Sequence, residues 1–194
     1  MISLVINTCA LGAGAKTISS GGQRHSQREF VLRNFILPRA MELFAEVIVV
    51  GEWEDGRGYT YIPCESKNFD CTDALEQRQL GFEASTGQAV AFQHDDHILE
   101  KGVWCQGDVT VPERMTRLRT VEPELLNNGF GHYISGHCAL YKRHVLEKCP
   151  WGAVPKVFVW DAEHTKQIEA AGFSITWSTL HKVFDVEMGA TPWQ

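Results

Sequence analysis

The chain has 194 residues, 44% of them apolar and 22% charged, with a formal net charge of −6. That composition fits one globular domain with a substantial core and excludes a disordered segment. Surplus acid argues against a generic nucleic-acid coat, though not against a local basic groove. No apolar run nears the roughly 20 residues of a spanning helix, and Met1–Ile6 lacks the basic start of a signal peptide, so the expected location is cytoplasmic.

In chain order, Ile2–Ile6 reads as an apolar strand leading into Asn7 and Thr8, followed by a Gly- and Ser-rich loop over residues 9–24. Ser26 is a plausible N-cap for a helix to about Ala45, with Leu37, Ala40, Met41 and Phe44 as its buried stripe and a kink expected at Pro38. Val47–Val50 is an apolar strand closed by Gly51 and a polar turn, and Tyr59–Ile62 a short strand ended by Pro63. Residues 72–86 are expected to be helical, with Thr72 as N-cap and Leu75, Leu80 and Phe82 packing inward. Beyond Gly87, Ala89–Phe92 is the next strand.

The second half is less regular. Residues 98–131 show little periodicity and read as a long loop. Tyr133–Tyr141 reads as extended and Arg143–Lys148 as a short helix stopped by Cys149 and Pro150. Asp161–Ala171 reads as a helix closed by Gly172, with Phe173–Trp177 and Val183–Val186 as closing strands. Strands alternating with helices predict an α/β fold whose mostly parallel sheet is covered on both faces, in a single domain over 1–194. The six cysteines contain no C-x-x-C pair and are expected to be reduced thiols.

The strand at Ala89–Phe92 runs into Gln93, His94, Asp95, Asp96 and His97. Open α/β sheets build sites at the carboxyl ends of their strands, and carboxylates beside imidazoles are metal-type ligands. Alternation forbids all four ionisable side chains from facing one way unless the strand has already ended. Two other patterns are weaker. Gly12–Thr17 lacks the glycine spacing of a phosphate-binding loop. His132, His137, Cys138 and His144 lack the paired spacing of a structural zinc site.

The segment from Arg78 to His97 resembles the heart of GT-A glycosyltransferases, particularly the large inverting family typified by polysaccharide-forming enzymes. Their pattern is approximately R-N-x-G-x-x-x-A-x-G, a strand, then D-x-D. Arg78, Gly81 and Gly87 match; Gln79 stands for the Asn and Ser85 for the Ala. His94 falls on the first Asp and Asp96 on the second, a degenerate D-x-D. Downstream, Trp160-Asp161-Ala162-Glu163 resembles the family's E-D helix start with Trp in place of Glu, and Ile134 through Arg143 resembles the extended segment before it.

The resemblance implies a single GT-A domain, with 1–97 binding a nucleotide sugar and 98–194 the acceptor. It implies inverting transfer from a UDP- or GDP-sugar to an acceptor hydroxyl, assisted by Mn²⁺ or Mg²⁺ at the leaving diphosphate. The implied metal ligands are Asp96 and His94, with His181 and Asp185 from the final strands. Thr8, Cys9, Ala10, Glu52, Asp55, Arg78 and Asp95 are implied on the donor, and Asp161 as the base, although Asp161 could also cap its helix. The acceptor is expected to be a carbohydrate or a hydroxymethylated base in phage DNA. Two alternatives stay open. A nucleotidyltransferase would want a basic residue directly after the first strand, where Lys16 arrives late. A non-catalytic nucleotide-sugar or metal-binding module would follow if His94 has replaced a necessary ligand.

Overall fold

Ile2–Thr8 forms β1, and Leu4, Val5 and Ile6 within it are wholly buried. A run that is apolar on both sides of the pleat suits a strand covered on both faces. The computed structural model describes residues 1–8, 28–65, 71–95, 97–101, 106–118, 124–127, 133–134, 138–156, 160–180 and 182–186. There β1 lies between β2 (Glu46–Gly51) and β4 (Ala89–His94), parallel to both, with β3 (Thr60–Pro63) parallel beyond β2. On the far side of β4, β9 (Cys138–Lys142) runs antiparallel. Next come β6 (Val109–Pro112) and β10 (Ile175–Ser178), which gives the order β10-β6-β9-β4-β1-β2-β3. The expected mostly parallel α/β sheet is thus present. Extended backbone was expected over Tyr133–Tyr141; its described strand is the shorter β9.

One face of this sheet is covered by helical backbone that begins by residue 28, passes through a π-helical turn at Leu32–Ile36 and ends as α1 (Leu37–Leu43). The Leu37 N–H reaches back to the Leu32 carbonyl, five residues away. Pro38 accounts for this widening. It has no N–H to give, and its ring would crowd the carbonyl four residues back in a regular turn. The extra residue shifts the phase of the helix. Leu32, Ile36, Leu37, Ala40 and Phe44 pack on Leu4, Ile6, Val47 and Val49, while Met41, expected in the stripe, is 38% exposed.

The opposite face carries α2 (Cys71–Ala84), α3 (Arg143–Lys148), a 3-10 turn at Trp151–Ala153 and α4 (Trp160–Ala170). Thr72, expected as the cap of α2, falls within the helix, whose described residues begin at Cys71. Gly81 sets how closely α2 approaches the sheet: a Cβ there would lie 2.3 Å from the Val5 Cγ1. The two matched glycines of the sequence pattern therefore have packing roles, for a Cβ on Gly87 would lie 2.4 Å from the Ser3 Oγ. Arg143 ties this corner together, donating to the carbonyls of Gly87 (2.7 Å) and Ser85 (2.6 Å). Helix α4 ends where expected, with Gly172 at φ 83°.

A second sheet, β5-β11-β7-β8, is built from β5 (His97–Lys101), β7 (Arg114–Leu118), β8 (Glu124–Asn127) and β11 (Lys182–Val186). Residues 98–131 are therefore not one long irregular loop. Their strands are short, and β5 and β7 both pair with the distant β11. No local alternation announces a strand whose partner lies so far along the chain. Among the described residues no helix is long and apolar enough to cross a membrane.

Candidate active site at the carboxyl ends of the strands

The parallel strands β1, β2 and β4 end together. Asn7 sits beside Val50 on one side and His94 on the other, and Thr8 beside Gly51. The Thr8 carbonyl accepts hydrogen bonds from the Glu52 N–H (3.0 Å) and the Gln77 amide (3.3 Å). The strand ends meet so closely here that only glycine fits. Gly51 has φ 133°, and a Cβ would lie 1.8 Å from the Thr8 oxygen. We expect Gly51→Ala to lose about 3 kcal/mol of stability, from strain in a glycine-only conformation together with the backbone clash. Urea unfolding measures it; wild-type stability would mean these strand ends part without cost.

Just past β4, Asp95 is almost completely buried, and one of its oxygens accepts from the Thr8 hydroxyl at 2.9 Å. The other oxygen is paired with the Arg28 guanidinium. A buried carboxylate needs such partners, since an uncompensated charge away from water is costly. The cluster joins three separate parts of the chain at one sheet edge.

His94 and His97 flank Asp95, with ring centroids 6.0 Å apart. The chain turns here from one sheet into the other. The Gln93 amide donates to the His97 carbonyl at 2.7 Å, and His97 is buried at the start of β5. In the β5–β11 ladder, His97 lies opposite Asp185. The backbone of a predicted ligand from the last strand is thereby brought beside the His-Asp-Asp-His segment. Among the described residues no three His, Cys, Asp or Glu side chains are gathered to hold an ion. Cys9, Ala10, Asp96 and His181 lie outside the described residues, as does the Gly12–Thr17 segment.

Arg78 is neither exposed on its helix nor open to solvent: it is 1% exposed. Its guanidinium carbon lies 4.9 Å from the ring centre of Trp151 and 5.2 Å from those of Phe92 and Trp160. Such a cage offers a cation the negative faces of three rings. Burial pushes the Arg78 pKa down to about 10, against the opposing pull of Tyr141, Cys138 and Asp161. It stays charged at neutral pH, close beneath the start of α4. There the Asp161 carboxylate, half-buried, accepts from the Ala162 N–H at 2.9 Å. Burial pushes the Cys138 thiol up to about 12, so it is no nucleophile. Of the weighed zinc group, His132 and His137 lie outside the described residues, and His144 faces Asp108 at 3.5 Å.

His164 shares this core, its ring centroid 3.7 Å from that of Trp151 and its Nε2 2.9 Å from the Cys149 carbonyl oxygen. Burial drives its pKa down from the ordinary 6.5 to about 4. The folded chain keeps the ring neutral, while the unfolded chain takes up a proton near its ordinary pKa. This contribution is therefore complete above about pH 6.5 and is lost as pH falls toward 4, by up to about 3 kcal/mol. Urea unfolding at pH 7.5 and pH 5 checks it, and His164→Asn should flatten the dependence in that window.

Of the remaining expected donor residues, Glu52 is half-buried directly after β2, next to Thr8. Asp55 is exposed and accepts from the Gly56 N–H at 2.9 Å, which closes its own turn. Arg28, Gln77 and Gln93 were not anticipated. One signal existed for Arg28: a cation near the start of a helix opposes the helix dipole and implies a partner. Nothing in the sequence said that the partner was Asp95.

Open α/β sheets place their ligand sites at the carboxyl ends of the strands, and at that end of this sheet Thr8 and Asp95 are buried and hydrogen-bonded. No protein-family profile matches the chain, and no curated protein matches it in sequence. Solved structures do. S. aureus TarS superposes with TM-score 0.62 at 12% identity over 95% of this chain and 36% of that one. GalNAc-T7 with UDP, GalNAc and Mn²⁺ gives TM-score 0.58 at 10% identity, over 100% of this chain and 45% of that one. TarS residues 1–349 in complex with UDP-GlcNAc give 0.61 at 10% identity, over 98% and 59%. The chain thus spans from about a third to three fifths of the length of these glycosyltransferase structures. The shared property is the fold, which is of the GT-A glycosyltransferase type.

Proposed function

We propose that this chain is a glycosyltransferase that moves a sugar from a UDP- or GDP-sugar to an acceptor hydroxyl with the help of a divalent cation. The observation that carries this reading is the arrangement in which β1 and β4 end side by side and β5, starting just past β4, pairs with β11 of the second sheet. It brings Thr8, Asp95 and the His94–His97 segment together and sets His97 opposite Asp185. Solved structures of the same fold hold UDP-GlcNAc, and UDP with Mn²⁺.

His94, Asp96, His181 and Asp185 would hold the ion. Imidazole with carboxylate suits Mn²⁺ better than Mg²⁺, which prefers oxygen alone. Asp95 is not spare for that role while Thr8 and Arg28 occupy both its oxygens. When bound, the cation would stabilise the charge developing on the leaving diphosphate. Thr8, Cys9, Ala10, Glu52 and Asp55 would border the nucleotide, in the half formed by residues 1–97. Arg78 would act on the site through its field, from under α4. Asp161, on the half formed by 98–194, would take the acceptor's proton as attack proceeds opposite the leaving group, which inverts the anomeric centre. The acceptor would be a carbohydrate or a hydroxymethylated base of phage DNA.

Thermal melts with UDP and with GDP, in Mn²⁺ and in EDTA, test the reading. A nucleoside diphosphate should raise the melting temperature by mass action only with the cation present. Equal shifts in EDTA would remove the cation from the account. Turnover with a panel of nucleotide sugars then separates transfer from mere binding and from nucleotidyl transfer.

A further inference from the structure

The turn between β2 and β3 carries Glu52 and Asp55, two of the residues proposed above to border the nucleotide. It runs outside both strands, and side chains hold its shape. The Tyr61 hydroxyl donates to the Gly51 carbonyl at 3.1 Å and accepts from the Trp53 N–H at 3.4 Å. The Tyr59 hydroxyl donates to the Glu54 carbonyl at 3.0 Å and accepts from the Trp53 indole N–H at 3.1 Å. Trp53 is only 6% exposed, although residues 54–58 after it are open to solvent.

One side chain joins this turn to the first helix. Arg33 lies in the π-helical turn Leu32–Ile36, and its guanidinium carbon stands 5.0 Å from the Trp53 ring centre. The same guanidinium donates to the Glu54 carboxylate at 2.6 Å and to that of Glu29, one helical turn back, at 3.0 Å. Stacking on an aromatic face while bonding two carboxylates suits the planar fork of Arg better than the point charge of Lys. Turns of the π type recur at functional sites, and the start of this helix also supplies Arg28 to Asp95. One helix thus grips the chain beyond β2 and the chain beyond β4.

We propose that Arg33 is a positioning residue for the donor, holding the β2–β3 turn in the shape that receives the nucleoside. The inference rests on the donor-site reading above. The Arg33 and Glu54 side chains are 43% and 50% exposed, so their pairing adds little to the stability of the whole fold. The turn is a different matter, because a segment outside the ladders depends on such side-chain contacts for its order. Affinity falls with the fraction of molecules that hold the competent shape. An exposed cation–π contact and an exposed ion pair are each worth a factor of a few, which together set an effect of about fivefold.

In saturating Mn²⁺, Arg33→Ala should therefore bind UDP and UMP about fivefold more weakly, both by one factor, because the loss lies at the nucleoside they share. GDP and GMP form a second such pair. In turnover, KM for the nucleotide sugar should rise by about the same factor while kcat changes less than about twofold. Arg33→Lys should recover part of the loss. Backbone hydrogen exchange over residues 52–58, read without ligand, should be several-fold faster in Arg33→Ala, with the melting temperature within about 2 °C of wild type. Tyr59→Phe, which cuts the link to Trp53 and Glu54 from the other side, should reproduce both changes.

Unchanged exchange in the turn or unchanged UDP affinity would overturn the proposal. So would a loss for UDP that UMP escapes, which would make Arg33 a phosphate ligand instead. If wild-type protein binds neither UDP nor GDP with Mn²⁺, the donor-site reading itself fails, and this proposal falls with it. That outcome is seen in the wild type, before any variant is made.

Discussion

Asp161→Asn should leave donor binding intact and lower transfer to the acceptor by about 10²–10⁴-fold, the usual worth of a positioned base. The substitution is informative because the present role of the carboxylate is one that asparagine can also fill. Its oxygen accepts from the Ala162 N–H in the first turn of α4, and an amide oxygen can do the same. The Trp160 ring beside it and the Arg78 cage beneath are unaltered by the change. A variant that loses stability but keeps its turnover per molecule would reduce Asp161 to a helix-end group. The wild-type product must also have the inverted anomeric configuration. Retention would make Asp161 an acceptor-positioning residue.

Asp96→Asn should abolish cation-dependent nucleotide binding, measured as loss of the Mn²⁺-dependent melting shift with UDP or GDP. A ligating carboxylate replaced by a neutral amide loses both its charge and most of its affinity for a hard cation. His94→Asp should instead preserve activity and move the preference from Mn²⁺ toward Mg²⁺, because it exchanges an imidazole for oxygen. Full activity in Asp96→Asn would put the ligand elsewhere in the His94–His97 segment. Since Asp95 is held by Thr8 and Arg28, the neighbouring Asp95→Asn should destabilise the fold, a loss visible without any ligand.

The framework was legible because its signals are local. Leu4–Ile6, Val47–Val50 and Ala89–Phe92 are uninterrupted apolar runs, and such runs have few options other than strands covered on both faces. Gly172 marks the end of α4 through a left-handed conformation that other residues resist. The carboxyl end of β4 stood out in the sequence because a covered strand has no packing reason to end on imidazoles and carboxylates. The π-helical turn before Pro38 was missed, and with it the exposure of Met41, because one inserted residue in a turn leaves no trace in a period of 3.6.

By itself, then, the sequence determined the order of elements as far as β4, the mostly parallel α/β class and the strand end that carries the ionisable groups. Each of these depends on residues adjacent in the chain. Tertiary structure alone decided the rest. It formed the second sheet, set Asp185 opposite His97, closed three aromatic rings over Arg78 and brought Arg28 against Asp95. Those are pairings between segments far apart in sequence. Whether a charge is buried, and which partner compensates it, is settled only when the sheets close and water leaves.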